Sequence, residues 1–204
     1  MNTGHLHFRA ATPADLDGLL ALVQSAYRGE ASRAGWTTEA DLLDGQRTDL
    51  TDLQACLARA DSMLLVAEVS GDVDPGPPGI VACAYIAPDD DDPTDAAQFG
   101  MFAVRPQLQG SGVGKAVMDE AERIVRDEWQ LPTMRMSVID VRAELIAFYQ
   151  RRDYQRTGIH KPFPYGDERF GLPRRADLRF EILEKHLRPH TGVAGKQPVS
   201  SPAA

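Results

Sequence analysis

Three glycines at alternate positions are the residues of this chain best placed to do chemistry. They lie in the run Gln107-Leu108-Gln109-Gly110-Ser111-Gly112-Val113-Gly114-Lys115. An apolar segment, residues 99–104, leads into the run, and a helix-period segment, residues 113–129, leads out of it. A glycine-rich turn between a strand and a helix presents main-chain N–H groups to an anion, and the helix N-terminus adds about half a positive charge there. With no Cβ at Gly110, Gly112 and Gly114, the main chain can approach a phosphate closely. Spacing excludes two common phosphate binders. Where a Walker-type loop needs Gly and then Ser or Thr, this chain has Gln109 and Ala116, so no hydroxyl is available for magnesium. A dinucleotide fingerprint needs its third Gly where Lys115 stands, and it normally opens the first strand–helix unit, whereas this run lies mid-chain.

Other reactive residue types point elsewhere or nowhere. The two cysteines, Cys56 and Cys83, each lie in an apolar segment with no adjacent histidine, which predicts buried free thiols in a reducing compartment rather than nucleophiles. The five histidines show no metal-ligand spacing; His5-x-His7 sets two rings on one face of a terminal strand. Four consecutive aspartates within residues 88–95 read as a solvated loop tip. A net charge of −8 argues against a nucleic-acid partner, which needs a basic face, and suits a cationic or amine substrate. No apolar run approaches the length of a membrane span, and the first residues lead into an amphipathic strand rather than a leader, so the expected location is cytoplasmic.

The length of 204 residues fits one domain, read over residues 1–188, with a Gly-, Pro- and Ser-rich tail, 189–204, expected to be disordered. Residues 5–11 read as an opening strand. Thr12-Pro13-Ala14-Asp15 starts a helix, with Leu16, Leu19, Leu20, Val23 and Tyr27 at helical spacing. The polar segment 28–49 carries a short helix signal at 38–43, and Thr51 is read as the cap of another helix. Residues 63–69 and 79–87 form a hairpin around a breaker-rich turn, 71–78. Residues 97–104 form the strand that delivers the glycine run. Alternation over residues 134–138 gives another strand, 144–152 a helix, 156–158 a brief extended piece, 160–174 a long loop and 177–184 a last strand. This order is an α/β layout with a mixed sheet.

The pattern Gln-x-x-Gly-x-Gly after a strand ending in Val104-Arg105-Pro106 resembles the acyl-CoA loop of the GNAT superfamily of N-acetyltransferases. A second segment, Ala143 to Tyr154, resembles the helix that in this family ends in Tyr, three residues, Gly and an aromatic: Tyr149 and Tyr154 match, and Asp153 replaces the Gly. Asp tolerates the left-handed conformation that such a turn needs. Arg142 stands where the family often has Asn. The resemblance spans residues 5–184 and implies an α+β fold, a mixed, mostly antiparallel twisted sheet flanked by helices on both faces.

It also implies acetyl-CoA as co-substrate. The backbone of Gln109, Gly110, Ser111, Gly112, Val113, Gly114 and Lys115 would hold the diphosphate. Phe102, Ala103 and Val104 would offer backbone groups to the pantetheine arm where this strand splays from the next, and one N–H there would polarise the thioester carbonyl. The acetyl group would pass to an amine of a small molecule or peptide by direct attack in a ternary complex. Tyr149 is the implied hydrogen-bond donor to the leaving thiolate, because full proton transfer from a phenol to a thiol of lower pKa is uphill by about 2 kcal/mol. Tyr27, Trp36, Tyr85, Phe163 and Tyr165 are candidate walls of the acceptor pocket. Glu30 and Glu39 are candidate bases, and Lys161 and Arg169 would suit an acidic acceptor. Two rival readings stand beside this one: a CoA-responsive binding module without turnover, and a transferase for a different acyl-CoA. A homodimer is compatible with the layout, and no metal is called for.

Overall fold

The opening helix starts where Thr12 and Pro13 place it. In the computed structural model, which describes residues 6–69 and 79–187, the Asp15 carboxylate accepts from the Thr12 backbone N–H at 2.7 Å and from its hydroxyl at 2.9 Å. Arg9 clamps the same carboxylate at 2.7 Å. A 3₁₀ turn, Pro13–Asp15, feeds α1, Leu16–Tyr27, which buries Leu19, Leu22, Val23, Ala26 and Tyr27. The cap of α2, Leu50–Ala58, is Asp49 rather than Thr51. The Asp49 carboxylate reaches the N–H of Asp52 at 2.8 Å, the third helical position, which a residue already inside the first turn cannot do. The helix expected at 38–43 is a single turn closed by Leu43 N–H on Glu39 C=O, after which Leu43–Asp44 pairs with Leu172–Pro173.

Seven strands form one sheet: β1 Leu6–Ala10, β2 Met63–Val69, β3 Gly79–Pro88, β4 Ala96–Val104, β5 Thr133–Ile139, β6 Gln155–Pro162 and β7 Arg179–His186. Their order is β1-β2-β3-β4-β5-β7-β6, and every pairing is antiparallel except β4 with β5. Strand β6 is longer than the extended piece read at 156–158, and the following loop correspondingly starts after Pro162. All eight of its residues are exposed, so it carries no buried alternation; the backbone ladder to β7 and the Arg156–Glu181 ion pair at 2.6 Å hold it instead.

Helix α3, Val113–Arg123, continues into a π-helical turn, Ile124–Glu128, and α4 spans Ala143–Gln150. α3 and α4 cover one face of the sheet, over a core that includes Phe99, Val117, Met118, Met134, Met136 and Tyr149. α1 and α2 cover the other, over Leu53, Leu64, Val66 and Cys83. The aspartate run is ion-paired at the surface: Asp90 with Arg59 at 3.2 Å, Asp91 with Lys161 at 2.9 Å and Asp92 with Arg135 at 3.2 Å. No helix of the described residues is long and apolar enough to cross a membrane. The turn at 71–78, His5 and the tail at 189–204 lie outside the described residues.

Candidate active site

Strands β4 and β5 share a ladder only from Ala96–Gln98 to Thr133–Arg135, and beyond it they diverge. One extra residue in β4, opposite Cys83–Tyr85, makes a bulge with Met101 at φ +44°. A non-glycine residue in that region is strained and bends its strand. The two strands therefore open a gap of about 70 Å³ lined by Phe99–Phe102 on one side and Met136–Ile139 on the other.

The glycine run stands at the mouth of this gap. Gly110 and Gly112 take φ +79° and +95°, conformations that favour glycine, and Gly112 caps α3. A Cβ on Gly114 would come 3.3 Å from the Phe102 ring. The N–H groups of Gly110, Gly112, Val113, Gly114 and Lys115 have no acceptor among the described residues. Those of Gln109 and Ser111 turn inward, to Pro106 C=O at 3.2 Å and Leu108 C=O at 3.4 Å. The Gln109 side chain is fully engaged. Its Oε1 accepts from the N–H groups of Trp36 (2.9 Å) and Thr37 (3.2 Å), and its Nε2 donates to Thr37 Oγ1 (2.8 Å) and Val104 C=O (3.1 Å).

From this mouth a cleft of about 330 Å³ runs inward between Phe102 and Val104 on one side and Leu145, Phe148 and Tyr149 on the other. Trp36 packs on Phe148 with ring centroids 5.2 Å apart, and the Arg152 guanidinium stacks on the same Phe148 ring, 3.7 Å from its centre. Tyr149 is 6% exposed, and its hydroxyl has no hydrogen-bond partner among the described residues. Burial, aided by the neighbouring Tyr27, pushes its pKa well above the ordinary phenol value. Tyr27, in contrast, donates to the Phe102 carbonyl, and burial pushes its pKa up to about 12. Both phenols are hydrogen-bond donors at neutral pH. Cys83 lies under the opposite face, its thiol pushed up to about 12 by burial and directed at Met101 C=O.

The cleft brings together Tyr27, Trp36, Phe102, Val104, Gln109, Gly110, Gly112, Gly114, Lys115 and Tyr149. Ala103 is buried beneath α1 and Val113 in the core under α3. Three candidate acceptor residues lie elsewhere. Glu30 is on the surface, its side chain 90% exposed and paired with Arg33. Tyr85 packs against the α1–α2 face. Tyr165 pins its own loop, donating to Arg175 C=O at 3.1 Å and accepting from Leu178 N–H at 2.7 Å. Lys161 and Arg169 are each paired locally, with Asp91 and Asp167.

Sequence reasoning missed the charged cluster behind the gap. Glu39, 5% exposed, receives Arg28 and, at 2.8 Å, Arg142, with Arg47 at 3.9 Å. Burial alone would raise the Glu39 pKa; the guanidiniums of Arg142, Arg47 and Arg28 outweigh it and hold the carboxyl below its usual range. Arg142, at the N-cap of α4, also donates to Thr37 C=O at 2.5 Å and so ties the 36–39 segment to this helix. A carboxylate so held is a poor base. The cluster borders a trough of about 240 Å³ on the α1 face, floored by Gln98, Gly100 and Ser137 and walled by Phe163, Phe170 and Phe180. Trough and gap share Glu39, Arg47, Phe99, Gly100, Ser137, Ile139 and Phe180, so the trough adjoins the gap that Tyr149 lines. Asp153, at φ +68°, makes the left-handed turn that leads into Tyr154.

The profile of the Acetyltransferase (GNAT) family matches residues 23–158. Among curated proteins, none matches the sequence significantly. The fold is that of many solved structures. Ard1 from Thermoplasma volcanium superposes with a TM-score of 0.63 at 17% identity, covering 90% of this chain and 99% of its own. The Salmonella typhimurium protein yncA, solved with its cofactor acetyl-CoA, gives 0.63 at 17% identity, covering 93% and 98%. A ribosomal-protein-alanine N-acetyltransferase from Brucella melitensis gives 0.62 at 19% identity, covering 89% and 99%. With the profile spanning most of the domain, this chain belongs to the GNAT family of acetyl-CoA-dependent acetyltransferases.

Proposed function

We propose that this enzyme passes the acetyl group of acetyl-CoA directly to a primary amine, with both substrates bound at once on opposite sides of the β4–β5 gap. The observation that carries this reading is the pairing of five unengaged N–H groups at one end of the cleft with the unengaged Tyr149 hydroxyl inside it. Acetyl-CoA supplies an activated thioester. The N–H groups of Gly110 and Gly112–Lys115 bind the diphosphate, where charge-assisted hydrogen bonds and the α3 dipole act together. Arg151 and Arg152 line the same cleft and add positive charge for the phosphates. Backbone groups of β4 beside the Met101 bulge orient the pantetheine arm.

The acceptor enters from the trough. Its nitrogen forms the new N–C bond as the C–S bond breaks, the nitrogen's proton leaves to water, and the thiolate takes a hydrogen bond from Tyr149. The raised phenol pKa makes full proton transfer from Tyr149 still less favourable than for a free tyrosine, so its role is donation without transfer. The one carboxylate that lines the gap among the described residues, Glu39, is held by three guanidiniums and is a poor base. The excess of guanidinium over carboxylate around Glu39 disfavours a bound ammonium and so favours the neutral amine that must attack.

The test is CoA release over a panel of amines, with Tyr149→Phe beside the wild type. The variant should keep its acetyl-CoA affinity and lose about 10²-fold in kcat. Absence of acetyl-CoA binding by the wild type, or an unaltered kcat in the variant, would sink the assignment.

A further inference from the structure

Away from the cleft, guanidiniums in this acidic chain meet carboxylates at full hydrogen-bond distance; Arg123 on Glu120 at 2.8 Å and Arg174 on Asp44 at 2.6 Å are typical. The trough is different. Arg28, Arg47 and Arg142 share the single carboxylate of Glu39, which is the only acidic side chain lining the trough among the described residues. Arg142 is satisfied by Glu39 and Thr37 C=O. Arg28 is held by Glu39 through Nη1 alone, and Arg47 is not satisfied. Arg28 is 6% exposed, its Nε is buried with no partner, and its Nη2 reaches only Phe170 C=O at 3.5 Å. Arg47 makes no side-chain hydrogen bond among the described residues; it lies 3.9 Å from Glu39 and 5.3 Å from the Tyr27 ring centre.

A guanidinium with no hydrogen-bond partner keeps its whole fork of donors free, and a planar oxyanion is the partner that fork fits. Both guanidiniums line the same trough, and Arg47, its side chain 30% exposed, also lines the adjoining gap with Tyr149. We propose that the acceptor amine carries a carboxylate, seated on the Arg47 guanidinium at the end of the trough that Arg28 also lines, while its apolar part lies against Phe163, Phe170 and Phe180. Free amino acids and short peptides both present this chemistry. Diamines and polyamines do not, because their second cation would meet the arginines with no free carboxylate to receive it. This inference rests on the proposed transferase function and deepens it.

The experiment compares, at saturating acetyl-CoA, CoA release with amino acids, their amides, dipeptides and a simple diamine. In parallel, calorimetry measures binding of N-acetylated amino acids and their amides to the CoA-loaded enzyme. Carboxylate forms should exceed amides by about 10–100-fold in kcat/KM or in affinity, as expected for a charge-assisted hydrogen bond. Arg47→Gln should collapse that ratio to within about threefold, and Arg47→Lys should retain part of it, as expected when a point charge replaces a bidentate fork. The dipeptide arm separates an α-carboxylate from a more distant one. Equal use of acids and amides, a preference for the diamine, carboxylate-independent binding, or an acid-to-amide ratio unmoved by Arg47→Gln each overturns the inference while leaving acetyl transfer standing. Failure of acetyl-CoA itself to bind would overturn both.

Discussion

Replacing Glu39 with Gln removes the one negative charge shared by the buried Arg28 and Arg142 and the half-buried Arg47, without changing its shape. The carboxylate is 5% exposed and is engaged by Arg28 and by Arg142 at 2.8 Å, with Arg47 at 3.9 Å. Breaking a buried ion pair from one side typically costs about 3–5 kcal/mol, because the remaining charge is left uncompensated. For a chain of this size, that corresponds to a fall in Tm of about 6–20 °C. The pH dependence has a fixed sign. The folded-state pKa of Glu39 lies below its unfolded value, so the stability it supplies is complete above the unfolded pKa and disappears as pH falls through the folded one. Urea unfolding of both proteins at neutral pH should therefore show the full gap, and a series toward low pH should show it closing. A second substitution, Arg47→Gln, should restore part of the loss in the Glu39→Gln background, since it removes one of the orphaned charges. A gap below about 1 kcal/mol at neutral pH would refute the reasoning, since the buried-pair cost is several times that. So would a gap that does not close in acid.

Gly112→Ala forces an alanine to φ +95°, which costs about 1–2 kcal/mol and displaces the N–H groups at the start of α3; calorimetry should show acetyl-CoA binding weakened at least tenfold. Tyr27 contributes at the alkaline end. Its folded pKa of about 12 exceeds the unfolded value near 10, so its stability is present below pH 10 and is lost as pH rises toward 12, by about 2–3 kcal/mol; Tyr27→Phe should flatten that limb in alkaline denaturation. Cys83, with its thiol raised to about 12 and fully buried, should resist thiol reagents in the native state, while the half-buried Cys56 reacts first in mass-resolved labelling. With Glu39, the one carboxylate lining the gap among the described residues, held below its usual range by three guanidiniums, kcat/KM should climb with pH along the acceptor's own ionisation; a profile set by a residue of the enzyme near neutral pH would contradict the proposed mechanism.

What was legible in the sequence was what local rules govern. Alternating glycines between a strand and a helix, the Thr12-Pro13-Asp15 start and the periodicity of α1, α3 and β5 depend on neighbours a few residues apart, and all are found in the fold. The Glu39 cluster was not legible because its members, at positions 28, 39, 47 and 142, meet only through tertiary packing. One trace was available: Arg142 departs from the family's usual Asn, and the structure shows that side chain turned to Glu39 and Thr37. Strand β6 escaped because an edge strand exposed along its whole length has no hydrophobic alternation to read. Tyr165 looked like a pocket aromatic because it sits among loop residues, yet its hydroxyl bridges two backbone groups of that loop.

The Gln109 amide has a mechanical consequence. Three of its four hydrogen bonds go to Trp36 and Thr37, and the fourth returns to Val104, the last residue of β4. Thr37 is in turn gripped by Arg142, so the glycine loop, the segment behind Trp36 and the head of α4 are riveted into one rigid frame. Neither rim of the cleft can shift alone without rupturing that joint, and a truncation at Gln109 would loosen the donor and acceptor sides together.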